Sequence, residues 1–301
     1  MSADHALAVA AALGCALTWA GASVIFARVL RDHDGVDSHA LNLIKCALAF
    51  PFLLVGGVVI GAGLPDLHTN MGWLVLSSVL GLVVADTGYF IALRRLGAAR
   101  GVLFIPVVPV FTALLAALFL HEPLTAGTAL GIAVTLAGLL VVLLNPESPK
   151  PTESSGKMGW AGALGGLAYA VAQAAANVVT KHVLDDALAI HVAALRIGIG
   201  AVILFLVCVA AGSLRGLRPL FARRVFGVLV LVSVVGTVAG MWLGMIGTKG
   251  LPVGVATTLA ATTPLWTIGL ARFTGETITL RALLGSLLSI VGVIILAAAA
   301  S

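Results

Sequence analysis

An all-α integral membrane protein, with ten transmembrane helices arranged as two inverted five-helix repeats, is the fold that this 301-residue sequence predicts. Three observations lead there. Residues are 60% hydrophobic and 10% charged, with a mean hydropathy of +1.15, which leaves no polar surface to cover a soluble domain. Apolar windows of bilayer-crossing length, roughly 20 residues, recur with short connections. Landmarks of the first half also return in the second, in the same order and at offsets of 150 to 155 residues. Trp19 is answered by Tyr169, Lys45 by Arg196 and Pro109 by Pro264. Glu122 with Gly131 and Gly138 is answered by Glu276 with Gly285 and Gly292. A repeat of this kind in a membrane chain is the sequence trace of a transporter.

The predicted spans are 6–28, 38–61, 71–93, 99–120, 125–144, 158–181, 188–212, 222–247, 252–271 and 280–299. The first is not read as a signal peptide. Met1 to His5 carries no positive charge, the apolar stretch exceeds the 7–15 residues of a signal's core, and Trp19 has its counterpart Tyr169 in an internal span. Span 2 follows the acidic group Asp32, Asp34 and Asp37 and carries Lys45. Span 3 opens near Trp73, an ordinary interface anchor, and carries Asp86. Span 4 is interrupted by Pro106 and Pro109. Glu122-Pro123-Leu124-Thr125 separates it from span 5, as a helix boundary and cap. The segment 145–157, rich in proline, serine and alternating charge, reads as a flexible linker. It divides a first repeat, 1–144, from a second, 158–301. Span 6 opens near Trp160 and carries Tyr169, Gln173 and Asn177; span 7 carries Arg196; span 9 is interrupted by Pro264; Glu276 precedes span 10. An odd number of spans per repeat makes the second enter from the opposite face.

Net charge is +5. In a soluble protein that would suggest a nucleic-acid partner, but here the cations sit between apolar spans, and none is expected. Of the 17 Lys and Arg, Lys45 and Arg196 lie within spans; 13 of the others fall in the odd-numbered loops, and only Lys181 and Lys249 on the even side. The positive-inside rule then places both termini outside. Cys15, Cys46 and Cys208 all lie in spans, an odd count without CxxC, so neither a disulfide framework nor a metal site is expected. The seven histidines form no ligand spacing, and no phosphate-binding loop or nucleophile motif occurs. No cofactor and no enzymatic activity are predicted. The expected partners are the lipid bilayer and a small-molecule substrate, for a monomer in the plasma (inner) membrane.

With these residues in view, the chain resembles the EamA-type members of the drug/metabolite transporter superfamily, across about 6–299. The early aromatic pair, the cation near the start of each second helix and the loop glutamate with its two glycines carry the resemblance. It implies a secondary carrier, in many members an exporter of amino acids or other small metabolites. It also implies cytoplasmic termini, against the charge count. Lys45 stands where an arginine is more usual.

Ionisable residues inside spans are functional candidates by default. Lys45 and Asp86 lie about seven residues from the same face, roughly 10 Å deep at 1.5 Å per residue, so an ion pair is possible. That pair either holds spans 2 and 3 together or couples transport to a proton taken up by Asp86. Arg196, with no acid at its depth, suits a substrate carboxylate, flanked by Gln173 and Asn177 on one face of span 6. The alternative for Arg196 is a bond to helix-end carbonyls or snorkelling to the interface. Trp19, Ser23 and Tyr169 fall near mid-membrane as candidate pocket walls, or as packing. Pro106, Pro109 and Pro264 are candidate gating kinks. The function expected is a secondary active transporter, an exporter of small polar metabolites such as amino acids, by alternating access with proton coupling or exchange. The rivals are an integral-membrane enzyme acting on lipid or prenyl substrates, and a lipid flippase or channel.

Overall fold

A computed structural model describes residues 3–33, 35–61, 67–119, 125–143, 157–184, 187–251, 253–271 and 279–299. Glu122, Glu276, Asp34, Asp185, Asp186 and nearly all of the 145–157 linker lie outside them. All regular structure among the described residues is helical. Six helices are long and apolar enough to cross a membrane: α1 (Ala3–Asp32), α2 (Ser38–Ile60), α3 (Leu67–Leu96), α6 (Lys157–Leu184), α7 (Ala189–Ala210) and α8 (Arg223–Gly250). The remaining apolar windows hold shorter helices. These are α4 (Val108–Phe119), α5 (Ala126–Leu143), α9 (Val253–Ala260), α10 (Thr263–Ala271) and α11 (Leu280–Ala299). Large apolar side chains point outward along the long helices, Val58 at 74% exposure and Leu206 at 60% among them. Contiguous apolar surface of this kind is matched by lipid, and the protein is a multi-pass membrane protein.

Helix ends follow local chemistry. Asp37 caps α2 by accepting from the Ala40 amide at 2.7 Å. The α3 helix ends at Gly97, whose φ of 80° favours glycine. Prolines begin helices rather than only kinking them. Pro106 lies in a 3-10 stretch, Val102–Val107, Pro109 is the second residue of α4, and Pro264 is the second residue of α10, just past a turn at Ala261 and Thr262. A proline in the first turn costs little, because that N–H has no intrahelical acceptor.

Packing obeys the exchange of halves. The α1 helix packs on α8 and α3 on α6; α2 packs on α7 and α5 on α11; α4 packs on α6 while α9 and α10 pack on α1. Each contact maps onto another, or onto itself, when the first-half helices trade places with those of the second. The α5–α11 contact does so at its paired glycines. A Cβ at Gly138 would stand 2.5 Å from the Gly285 carbonyl oxygen, and one at Gly292 would stand 2.9 Å from that of Gly131. Ser289 Oγ donates to the Thr135 carbonyl at 3.2 Å across the same seam. The paired glycines thus let two backbones touch, as small residues do between membrane helices.

A second correspondence has no trace in the apolar pattern. Within α3 and α8 the ladder widens into π-helix at Val79–Ala85 and Ser233–Ala239. The shift of bonding register frees carbonyls for side-chain donors. Asn42 Nδ2 bonds the Leu82 carbonyl at 2.6 Å and Thr87 Oγ1 at 3.1 Å.

Candidate functional site

Between the two sets of helices lies a cavity of about 140 Å³, room for roughly ten waters. Its wall is built from α1, α2, α3, α6, α7, α8 and α9, with Ile105 and Val108 from the segment leading into α4. Trp19, Ser23, Lys45, Asp86, Tyr169, Gln173, Asn177 and Arg196 all line it. Five helices drawn from both repeats therefore bring eight candidate residues to one space. Pro106, Pro109 and Pro264 do not line it, although their neighbours Ile105 and Val108 do.

The charged groups are held in different ways. Lys45 Nζ donates to Asp86 Oδ2, and lies 5.2 Å from the centre of the Phe90 ring. Lys45 is 5% exposed, while the Asp86 side chain keeps 22%, so the carboxylate faces the cavity. Arg196 is 3% exposed, and one of its terminal nitrogens, Nη2, donates to the Ser77 carbonyl at 3.0 Å, just before the π segment of α3. Its Nε is buried without a partner. Gly81 makes room for this guanidinium, since a Cβ there would come within 2.6 Å of Nη2. Gln173 Nε2 donates to Asn177 Oδ1 at 2.8 Å, which joins the two amides along one face of α6.

An aromatic and hydroxyl network completes the wall. Ser23 Oγ bonds the Trp19 carbonyl at 2.6 Å and shares a hydrogen bond with the Tyr89 hydroxyl at 2.7 Å. The Tyr89 and Tyr169 rings meet at 4.9 Å. Trp19 leans on Gly240, where a Cβ would come 2.6 Å from its Nε1.

Sequence reasoning missed Tyr89, Asn42 and the thioethers Met241 and Met245. Tyr89 lies three residues after Asp86, and Asn42 three before Lys45, a spacing that shares a helix face. Reading outward from the charged positions at that spacing would have found both. The methionines leave no such signal in an apolar run. Among the described residues, no group of three or more His, Cys, Asp or Glu side chains could hold a metal ion.

Two further cations, Lys181 and Lys249, serve helix ends away from the cavity's charged wall. Lys181 Nζ donates to the carbonyls of Thr248 and Lys249, at 2.8 and 3.0 Å, and Lys249 Nζ to that of Ala187 at 2.6 Å.

The search of curated proteins returns no match. A solved crystal structure is similar at a TM-score of 0.65 and 19% sequence identity, over 98% of this chain and 95% of that chain; at that identity it shows a shared fold. The model of the EamA-like transporter family matches twice, at residues 6–144 and 160–298. With the family matching twice along nearly its whole length, this chain belongs to the EamA-like transporter family.

Proposed function

We propose that the protein is a secondary active transporter of small polar metabolites such as amino acids, an exporter in the plasma membrane. It would work by alternating access between two inverted repeats of five crossings, split in the 145–157 linker. The observation that carries this reading is the cavity itself, a polar and aromatic space placed between corresponding helices of the two repeats. Sites of repeat-built carriers lie at such interfaces.

The cavity also has unequal ends. Its wall reaches Thr248 on α8 and Ala256 and Thr257 on α9. Beyond Phe26 and Phe90, by contrast, the end of α1 and the 102–108 segment close into a buried cluster with Leu103 and Phe104. We read this as one state of the cycle, open towards the face that bears Lys181 and Lys249. Asp86 is the proton-coupling candidate because it is the one carboxylate among the described lining residues.

Purified protein in liposomes, screened against radiolabelled metabolites with and without an imposed pH gradient, tests the proposal. Saturable uptake with counter-transport is expected. Flux that never saturates would replace the carrier with a channel, and movement of labelled lipid alone would make it a flippase.

A further inference from the structure

The matching π segments are followed by residues of different charge. Asp86 follows Val79–Ala85, and Gly240 follows Ser233–Ala239. The two repeat-related cations therefore meet different surroundings. Lys45 has Asp86, whereas Arg196 has a glycine at the corresponding place and forms no ion pair among the described residues. Its Nη2 bonds a backbone carbonyl, and its Nε, buried in the cavity wall, bonds nothing. Among the described residues, the charged ones lining the cavity are Lys45, Asp86 and Arg196. One positive charge is left over, inside an apolar protein, where an uncompensated charge is costly.

We propose that the cargo is a small organic monoanion, whose single carboxylate takes the unpartnered Nε–H of Arg196 and does there what Asp86 does for Lys45. This rests on the transporter reading for the word cargo, and it narrows that cargo to monoanions in place of the zwitterionic amino acids named there. A planar guanidinium with a free Nε matches a carboxylate's two oxygens. A zwitterion would leave the excess charge in place, and its ammonium would have to compete with Lys45 for Asp86. A dianion would overshoot to a net negative cavity. The remainder of the cargo meets apolar and aromatic walls at Trp19, Tyr169, Met241 and Met245, and polar groups at Ser23, Gln173 and Asn177.

Thermal unfolding and tryptophan fluorescence of the purified full-length protein, at constant ionic strength, read this directly. The probes are acetate, lactate, hexanoate and benzoate as monoanions, leucine and phenylalanine as zwitterions, and succinate as dianion. At least one monocarboxylate should bind saturably and more tightly than the zwitterions and succinate. Arg196→Gln should weaken it by about ten- to a hundredfold, the worth of hydrogen bonds to a charged group. Because that variant could fold poorly, the neutral isosteres hexanamide and benzamide provide a second reading on the unaltered protein. They match hexanoate and benzoate in size but carry no charge, and should bind at least roughly tenfold more weakly. The proposal is overturned if no monocarboxylate binds, if zwitterions bind as tightly, or if the amides bind as tightly as the acids. Transport separates the two readings. Zwitterion uptake unaffected by Arg196→Gln would leave a transporter and remove the monoanion; monoanion binding without any uptake would do the reverse.

Discussion

Lys45 and Asp86 answer each other across α2 and α3, and the exposure of Asp86 to the cavity separates a bridge from a switch. A pair sealed from water would only join two helices. Here the carboxylate keeps 22% exposure while its lysine is buried, which leaves Asp86 facing the cavity, as the proposed coupling requires. Removing one partner of a fully buried pair costs about 3–5 kcal/mol; partial hydration of Asp86 lowers the expected cost of Lys45→Met to about 2 kcal/mol. The double variant Lys45→Met with Asp86→Asn should recover most of that loss in a detergent melting experiment. Asp86→Asn alone should abolish accumulation driven by a pH gradient while sparing substrate exchange, which moves no net proton. Undiminished pH-driven accumulation by that variant would leave the pair a structural bridge only. These residues are legible in the sequence because an ionisable group inside an apolar run is conspicuous. Tyr89 is legible only through its spacing from Asp86, and the two methionines not at all, because they resemble the packing around them.

At the scale of elements, the six long helices stand out because unbroken hydrophobicity of bilayer length is far more than a chain of this size can bury from water. The π segments leave no mark, since one extra residue in a turn changes neither the length nor the composition of an apolar run. The 3-10 stretch Ser213–Phe221 is likewise hidden as a loop, because its arginines outweigh the buried Gly216 and Leu220 in the pattern. The paired glycines can be located by repeat spacing alone, but their purpose needs the α5–α11 seam. There an added Cβ meets backbone atoms as well as the Ser289 and Thr135 hydroxyls, so moving a side chain aside does not make room for a new methyl group. Gly138→Val should therefore lower the melting temperature, with a penalty at or above the roughly 1–3 kcal/mol typical of overpacking. Gly292→Val, its partner under exchange of halves, should act to a similar degree. Gly72→Ala is the control, because a Cβ there meets nothing within 4 Å. A melting temperature unchanged by either valine would show that the seam can open without loss.

For the whole molecule, the exchange of contacts between halves and the double family match describe a protein built twice from one plan, and its expected placement across the membrane is argued from charge. With ten crossings, thirteen Lys and Arg would fall in the loops of one face, against Lys181 and Lys249 on the other. Even those two are engaged, both in bonds to helix-end carbonyls at the α6–α8 corner, so neither presents an unoccupied ammonium to anionic headgroups. The arginine-rich face includes Arg215, Arg218, Arg223 and Arg224, all exposed beside Phe221, where anionic lipids of the cytoplasmic leaflet would meet them. The expected orientation thus has the 145–157 linker in the cytoplasm and both termini outside, contrary to the cytoplasmic termini that the family resemblance implies. Native Cys15, Cys46 and Cys208 are buried, so one cysteine placed in the linker reports without removing them. In intact cells an impermeant maleimide should leave that cysteine unlabelled until the membrane is permeabilised, whereas one placed next to Met1 should react at once. Labelling of the linker from outside, with the terminus protected, would show that this chain sits the other way up. The cavity's reach towards Thr248 and Thr257 would then open it to the cytoplasm instead of the exterior.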